Sequence, residues 1–233
     1  MASAGVALIV GVGPGLGAAL ARRFAKAGLR TAIAARDAAR LADLAKEIAG
    51  RAYACDATSE SAVRTLFDKV AADLGSPDLV VYNAGAYVPR TVIETEAAEF
   101  DRCWRIGCFG GFLVARAAAR AMIGRGGGVI LFTGATASLR GSAGFVNLAV
   151  GKFGLRALAQ SMARELGPRG IHVAHVIIDG QIDAPRYAQL RAERGPDSLL
   201  HPDAIAEAYW QLYQQPRTAW TLELDLRPWA ERF

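Results

Sequence analysis

The stretch Gly11-Val12-Gly13-Pro14-Gly15-Leu16-Gly17 decides the fold. Before it, residues 6–10 are a short apolar run of β type. After it, residues 16–27 carry Leu20, Phe24 and Ala27 at helical spacing, and Gly28 stops them. A glycine turn between strand and helix suits a phosphate, because it exposes backbone N–H groups at the positive end of a helix dipole. Glycines let a pyrophosphate approach the backbone and let helix and strand pack closely. Gly11, Gly15, Leu16 and Gly17 are the first candidate cofactor-binding residues. Residues 2–21 carry no charge and are nearly long enough to span a membrane. Five turn-forming residues from Gly11 to Gly17 interrupt them, and neither a basic leader nor a clear cleavage site is visible. A buried strand, a turn and a helix are expected there, not a membrane segment.

Outward from this unit, strands and helices alternate. Residues 31–35 read as a second buried strand, and Asp37 as a cap for a helix over 38–49. Strands are expected at 51–55, 78–82, 128–133, 171–178 and 219–225. Helices are expected at 59–74, 95–123, 143–166 and 202–214, the second of these bent near Gly107, Gly110 and Gly111. No linker, repeat or composition break divides the chain. The expectation is one α/β domain over 1–233, a Rossmann-like, doubly wound sheet of about seven parallel strands with helices on both faces.

The 233 residues are 52% hydrophobic and 21% charged, enough for a real core and unlike a disordered chain. Net charge is +5. The basic residues are almost all arginines, scattered along the chain beside acids. A nucleic-acid binder would cluster them and interleave aromatics, so a solvated basic surface is expected and no nucleic-acid partner. Cys55, Cys103 and Cys108 form no CxxC pair, which suggests a reducing, cytoplasmic setting. No metal-ligand cluster is visible.

Dinucleotide sites place an acid for the ribose, or an arginine for a 2′-phosphate, after the second strand. Arg36, with Arg40 nearby, favours NADP(H) over NAD(H). The alternative is that Arg36 is a solvated loop residue and Asp37 accepts the ribose hydroxyls. Pro14 works against NADP(H), since a basic residue in the glycine turn would have helped.

Gly11-x-x-x-Gly15-x-Gly17 after the first strand, Asp56 after the third and Asn83-Ala84-Gly85 after the fourth resemble the short-chain dehydrogenase/reductases. Lys152 and Gly180 extend the resemblance over essentially the whole chain. It implies a seven-stranded parallel sheet, a nicotinamide cofactor, Asp56 at the adenine ring, and a homodimer or homotetramer. It also implies a catalytic tyrosine four residues before the lysine, a serine thirteen residues before that, and an asparagine in the first long helix. Here those positions hold Leu148, Ala135 and Gly107. After the sixth strand, Asp179-Gly180 stands for the family's Pro-Gly, and Ala184 for a threonine.

The reading is therefore an NADP-dependent oxidoreductase of atypical mechanism and unknown substrate. The alternative is a catalytically impaired nucleotide-binding pseudoenzyme acting as sensor, scaffold or subunit partner. Lys152 is the retained catalytic position. Thr133, Thr136 and Ser138 are candidate shifted hydroxyls, against ordinary turn or cap roles. Asp179 is either an unusual acid or base, if desolvated, or a carboxylate bonding nearby backbone N–H groups. Tyr187 is a lid candidate. Asn147, His172, His175 and His201 are read as structural.

Overall fold

The computed structural model describes residues 5–231. Seven parallel strands run β1 (Val6–Val10), β2 (Arg30–Ala35), β3 (Arg51–Ala54), β4 (Leu79–Tyr82), β5 (Gly128–Thr133), β6 (Ile171–Ile178) and β7 (Glu223–Leu226). Their order in the sheet is β3-β2-β1-β4-β5-β6-β7. The order reverses between β1 and β4, so a crevice opens at the carboxyl ends of those two strands.

Helices cover both faces because the buried strands are apolar on both sides. On one face Leu8, Val10, Val80, Tyr82, Ile130, Phe132 and Val173 pack under α3 (Glu60–Leu74), α5 (Gly110–Ile123) and α6 (Val146–Leu166). The alternate residues Ala7, Ile9, Val81, Leu131, Ala174 and Val176 pack under α1 (Leu16–Lys26) and α8 (Pro202–Tyr213). The fold class and the order of elements match the sequence expectation.

Several boundaries differ. The helix expected over 38–49 is a tight turn at Ala39–Leu41 followed by α2 (Ala42–Glu47). The helix expected from 143 starts at Val146. The last strand begins at Glu223, not 219, because residues before it are drawn into side-chain contacts. Trp220 stacks on His172 with centroids 5.0 Å apart, and the Thr221 N–H donates to Gln215 Oε1 at 2.7 Å. A short helix, α7 (Ala188–Arg194), stands in a segment read only as proline-containing.

The long helix runs from α4 (Ala97–Trp104) through a π-turn at Arg105–Phe109 into α5. The π-turn frees the Ile106 carbonyl, which accepts from the Tyr82 hydroxyl at 2.5 Å. Small residues let this helix approach its neighbours. A Cβ added at Gly107 would lie 3.2 Å from Gly151 Cα, and one at Gly110 would lie 2.5 Å from the Tyr82 hydroxyl. The span Ala97–Ile123 is long and apolar enough to cross a membrane by length and composition, but half of its apolar window is buried inside the fold.

Candidate active site

A cleft of about 990 Å³ opens at the switch between β1 and β4. Gly11, Gly13, Pro14, Arg36, Asp37, Asp56, Asn83, Ala84, Gly85 and Tyr87 are among its walls. Residues scattered through the first half of the sequence thus meet in one cavity, while Gly15, Leu16, Gly17, Lys152 and Gly180 are not among its walls.

The glycines of the turn have separate reasons to be glycine. Gly11 has φ +91°, and a Cβ there would fall 2.4 Å from Ala84 N. A Cβ at Gly17 would fall 2.8 Å from Val12 Cα, so these two allow close packing. At Gly13 and Gly15 an added Cβ meets nothing within 4 Å. These two leave open space beside the N-terminus of α1, where no side chain caps the helix. The N–H groups of Leu16 and Gly17 have no partner among the described residues. An open cradle with orphan N–H donors fits a pyrophosphate.

Asn83 is locked in place. Its Nδ2 donates to the Gly11 carbonyl at 3.0 Å, and its Oδ1 accepts from Thr133 Oγ1 at 3.0 Å. The ends of β1, β4 and β5 are therefore tied by one side chain. Asp56 Oδ1 accepts from the Thr58 N–H and hydroxyl at 2.9 and 2.8 Å, which holds the carboxylate at the cleft edge. Asp37 Oδ1 accepts from the Ala39 N–H at 3.1 Å, and Asp37 Oδ2 lies 3.1 Å from Arg40 Nε. Arg36 is exposed on the cleft wall and forms no ion pair among the described residues.

Lys152 is buried, and Nζ donates to the Thr133 carbonyl at 2.6 Å. Among the described residues no carboxylate pairs with it. Burial alone pulls its pKa down to about 8. A Cβ at Gly85 would lie 3.6 Å from Nζ, so Gly85 borders the ammonium. Gly180 has φ +147°, and Pro228 Cδ would lie 2.8 Å from a Cβ there; the close approach of Pro228 accounts for this glycine.

The candidate hydroxyls do not reach this cleft. Ser138 is wholly buried; Oγ accepts from the Ala135 N–H at 3.1 Å and lies 3.3 Å from His175 Nε2. Thr133 Oγ1 is shared between Asn83 and the Tyr209 hydroxyl. Thr136 Oγ1 donates to Asp179 Oδ1 at 2.6 Å, and Asp179 Oδ2 lies 3.8 Å from Arg227 Nη2. The buried Asp179 carboxylate is thus held by a hydroxyl and a guanidinium rather than by the nearby backbone N–H groups expected in one of its two readings.

The residues read as structural sit accordingly. Asn147 is buried and donates to the Val88 carbonyl at 3.2 Å. His175 is fully buried and its pKa falls to about 4, first through desolvation and then through the Lys152 charge. His172 is buried, and its Nε2–H donates to the Thr221 carbonyl at 2.8 Å. His201 caps α8 through the Asp203 N–H. Tyr187 lies under the Arg186 guanidinium, outside the cleft walls.

Sequence reasoning passed over Tyr87. It follows Asn83-Ala84-Gly85 by two residues, which was the available signal. Its ring lines the cleft and stacks on Phe145 with centroids 4.8 Å apart and planes 21° apart.

Residues 5–195 match the family described as short chain dehydrogenase. A crystal structure of a short-chain dehydrogenase from Rhodopseudomonas palustris is 41% identical, with a TM-score of 0.84 over 97% of this chain and 99% of that one. A metagenomic short-chain oxidoreductase in complex with NADP is 27% identical, with a TM-score of 0.83 over 96% and 97% of the two chains. A 3-ketoacyl-(acyl-carrier-protein) reductase from Brucella melitensis complexed with NADH is 28% identical, with a TM-score of 0.87 over 96% of each.

Proposed function

The chain belongs to the short-chain dehydrogenase/reductase family, and from that premise we propose that it is an NADP-dependent oxidoreductase interconverting a carbonyl and an alcohol. The observation that carries this reading is the single cleft joining the open glycine cradle, Arg36, Asp56 and Asn83-Ala84-Gly85, with Lys152 behind Gly85. A nicotinamide cofactor would supply hydride transfer there. Leu16 and Gly17 would meet its pyrophosphate, Asp56 its adenine end, and Lys152 its nicotinamide ribose.

The preference for NADP(H) follows from charge. Asp37 is already occupied by Arg40 and the Ala39 N–H, while Arg36 has its guanidinium free for a 2′-phosphate. The neighbours' complexes contain both NADP and NADH, so Arg36 carries this choice.

The proton-transfer half departs from the family pattern in this reading, with Ala135, Leu148 and Gly107 in place of its serine, tyrosine and asparagine. That departure, with Thr133, Thr136 and Ser138 all engaged elsewhere, also favours a second reading: a nucleotide-binding protein that has lost catalysis. Calorimetry with NADP(H) and NAD(H), followed by a carbonyl and alcohol panel, separates the two. Tight NADP(H) binding with turnover supports the oxidoreductase; binding without turnover supports the second reading.

A homodimer or homotetramer is the expected assembly. Phe112, Val150 and Phe153 are exposed on the long helices, and a hollow of about 660 Å³ is lined by Val92, Val146, Ala149, Val150 and Phe153. A second copy would cover that face. Three free thiols fit a cytoplasmic setting. The basic side chains are distributed over separate ion pairs, which fits small-molecule partners and neither nucleic acid nor a membrane.

A further inference from the structure

We propose that Tyr87, reaching in from the loop after β4, is the proton donor that meets the substrate oxygen in this cleft. The inference rests on the oxidoreductase reading and assigns its acid to a residue outside α6.

A hydride added to a carbonyl carbon leaves charge on oxygen, and that charge needs a donor at hydrogen-bond distance. At the position of the family's tyrosine Leu148 offers none, and at the position of its serine Ala135 offers none. The nearby hydroxyls are committed. Thr136 is bound to Asp179, Thr133 to Asn83 and Tyr209, and Ser138 is buried against His175. Tyr87 differs on each count. It lines the cleft, it is 47% exposed, and its hydroxyl has no hydrogen-bond partner among the described residues.

Its loop is held where that role requires. The Asn147 amide donates to the Val88 carbonyl at 3.2 Å, and the Arg90 N–H donates to the Gly144 carbonyl at 3.3 Å. Arg90 also pairs with Phe145 as an isolated bridge. The Tyr87 ring stacks on Phe145, whose carbonyl accepts from the Leu148 N–H at 3.0 Å. The phenol is thereby fixed against the first turn of α6, the turn that carries Leu148. Gly85, two residues before Tyr87, borders Lys152 Nζ. Tyr87 and Gly85 therefore line the same cleft, with Lys152 Nζ bordering Gly85.

The step balances. A reduced nicotinamide bound in the cleft would supply a hydride to the carbonyl carbon, leaving the C=O π pair on oxygen. The Tyr87 O–H proton passes to that oxygen, giving the alcohol and the oxidised nicotinamide. The half-exposed phenolate recovers a proton from bulk water.

The test has a structural and a kinetic arm. Tetranitromethane nitration of Tyr87, read by peptide mass, should be slowed severalfold by complete NADP. Adenosine 2′,5′-bisphosphate, which fills only the adenine half, should not slow it. Equal rates with and without NADP, or equal protection by the fragment, overturn the placement. Tyr87→Phe keeps the stack on Phe145, so its thermal unfolding should match wild type. NADPH affinity should also hold, while kcat for carbonyl reduction falls about 10²–10⁴-fold. A Tyr87→Phe enzyme as fast as wild type overturns this inference alone. A wild type that binds no dinucleotide, or binds it and reduces no carbonyl in the panel, overturns the oxidoreductase reading and this inference with it.

Discussion

Single side chains decide what the cleft prefers. Arg36 has an unpaired guanidinium on the cleft wall, so Arg36→Ala should weaken NADPH by about tenfold, ~1.4 kcal/mol, and leave NADH nearly unchanged. Titration calorimetry with both cofactors reads this; equal losses for the two would remove Arg36 from the 2′-phosphate. His175 makes a different prediction. Buried beside Lys152, Arg156 and Glu223, it stays neutral in the fold down to about pH 4, against the ordinary histidine value of 6.5. The unfolded chain then binds more protons between these values, so stability falls as pH drops from 6.5 through 4. The loss from this residue is on the order of 3 kcal/mol. His175→Gln, which retains a polar group for Ser138, should flatten denaturant midpoints over that window. An unchanged pH profile would show that His175 is not the sensor.

At the scale of elements, the crossing of the long helix with α6 is governed by glycine. A Cβ at Gly107 would lie 3.2 Å from Gly151 Cα, so a side chain there forces the helices to give by a few tenths of an ångström, and a Cβ at Gly154 would lie 2.7 Å from Cys108 Sγ. Installing the asparagine that the family resemblance places at 107 should therefore not repair a proton path. Gly107→Asn should instead push the helices apart, at a cost of about 1–3 kcal/mol for overpacking. A Tm lower by several degrees is the expected result, and an unchanged Tm would mean the crossing is looser than its backbone contact. The same α6 is pinned to β7 at its other side by the two-point contact of Arg156 with Glu223, at 2.5 and 2.9 Å. That clamp holds the helix bearing Lys152 against the sheet edge.

For the whole molecule, the two long helices offer more apolar surface than the sheet can cover. Val92, Val150 and Phe153 are exposed around one hollow. Light scattering at micromolar concentration should give a dimer or tetramer mass, and Val150→Glu with Phe153→Glu should shift it to the monomer. Cofactor binding should survive that change if each cleft is built from one chain; a wild-type monomer would overturn the assembly.

The parallel sheet was legible from residues 6–27 outward, because alternating apolar strands and helical periods are local properties of the chain. The meeting of Gly11, Asp56 and Asn83 in one candidate cleft was legible for the same reason: each follows a strand, and parallel strands bring their carboxyl ends together. Element ends were less legible. The shift of β7 depends on Gln215 and Trp220 finding partners that no local pattern announces. The fate of the hydroxyls was hidden too. Ser138, Thr136 and Tyr87 are equally polar as letters, and what separates them is what each meets in space. Ser138 is buried against His175, 37 positions away, and Thr136 is bound to Asp179, 43 positions away. Tyr87 is stacked beside the cleft with its hydroxyl unpartnered. Local periodicity determines the frame, whereas the burial and pairing of a polar group depend on chain segments distant in sequence, which only folding brings into contact.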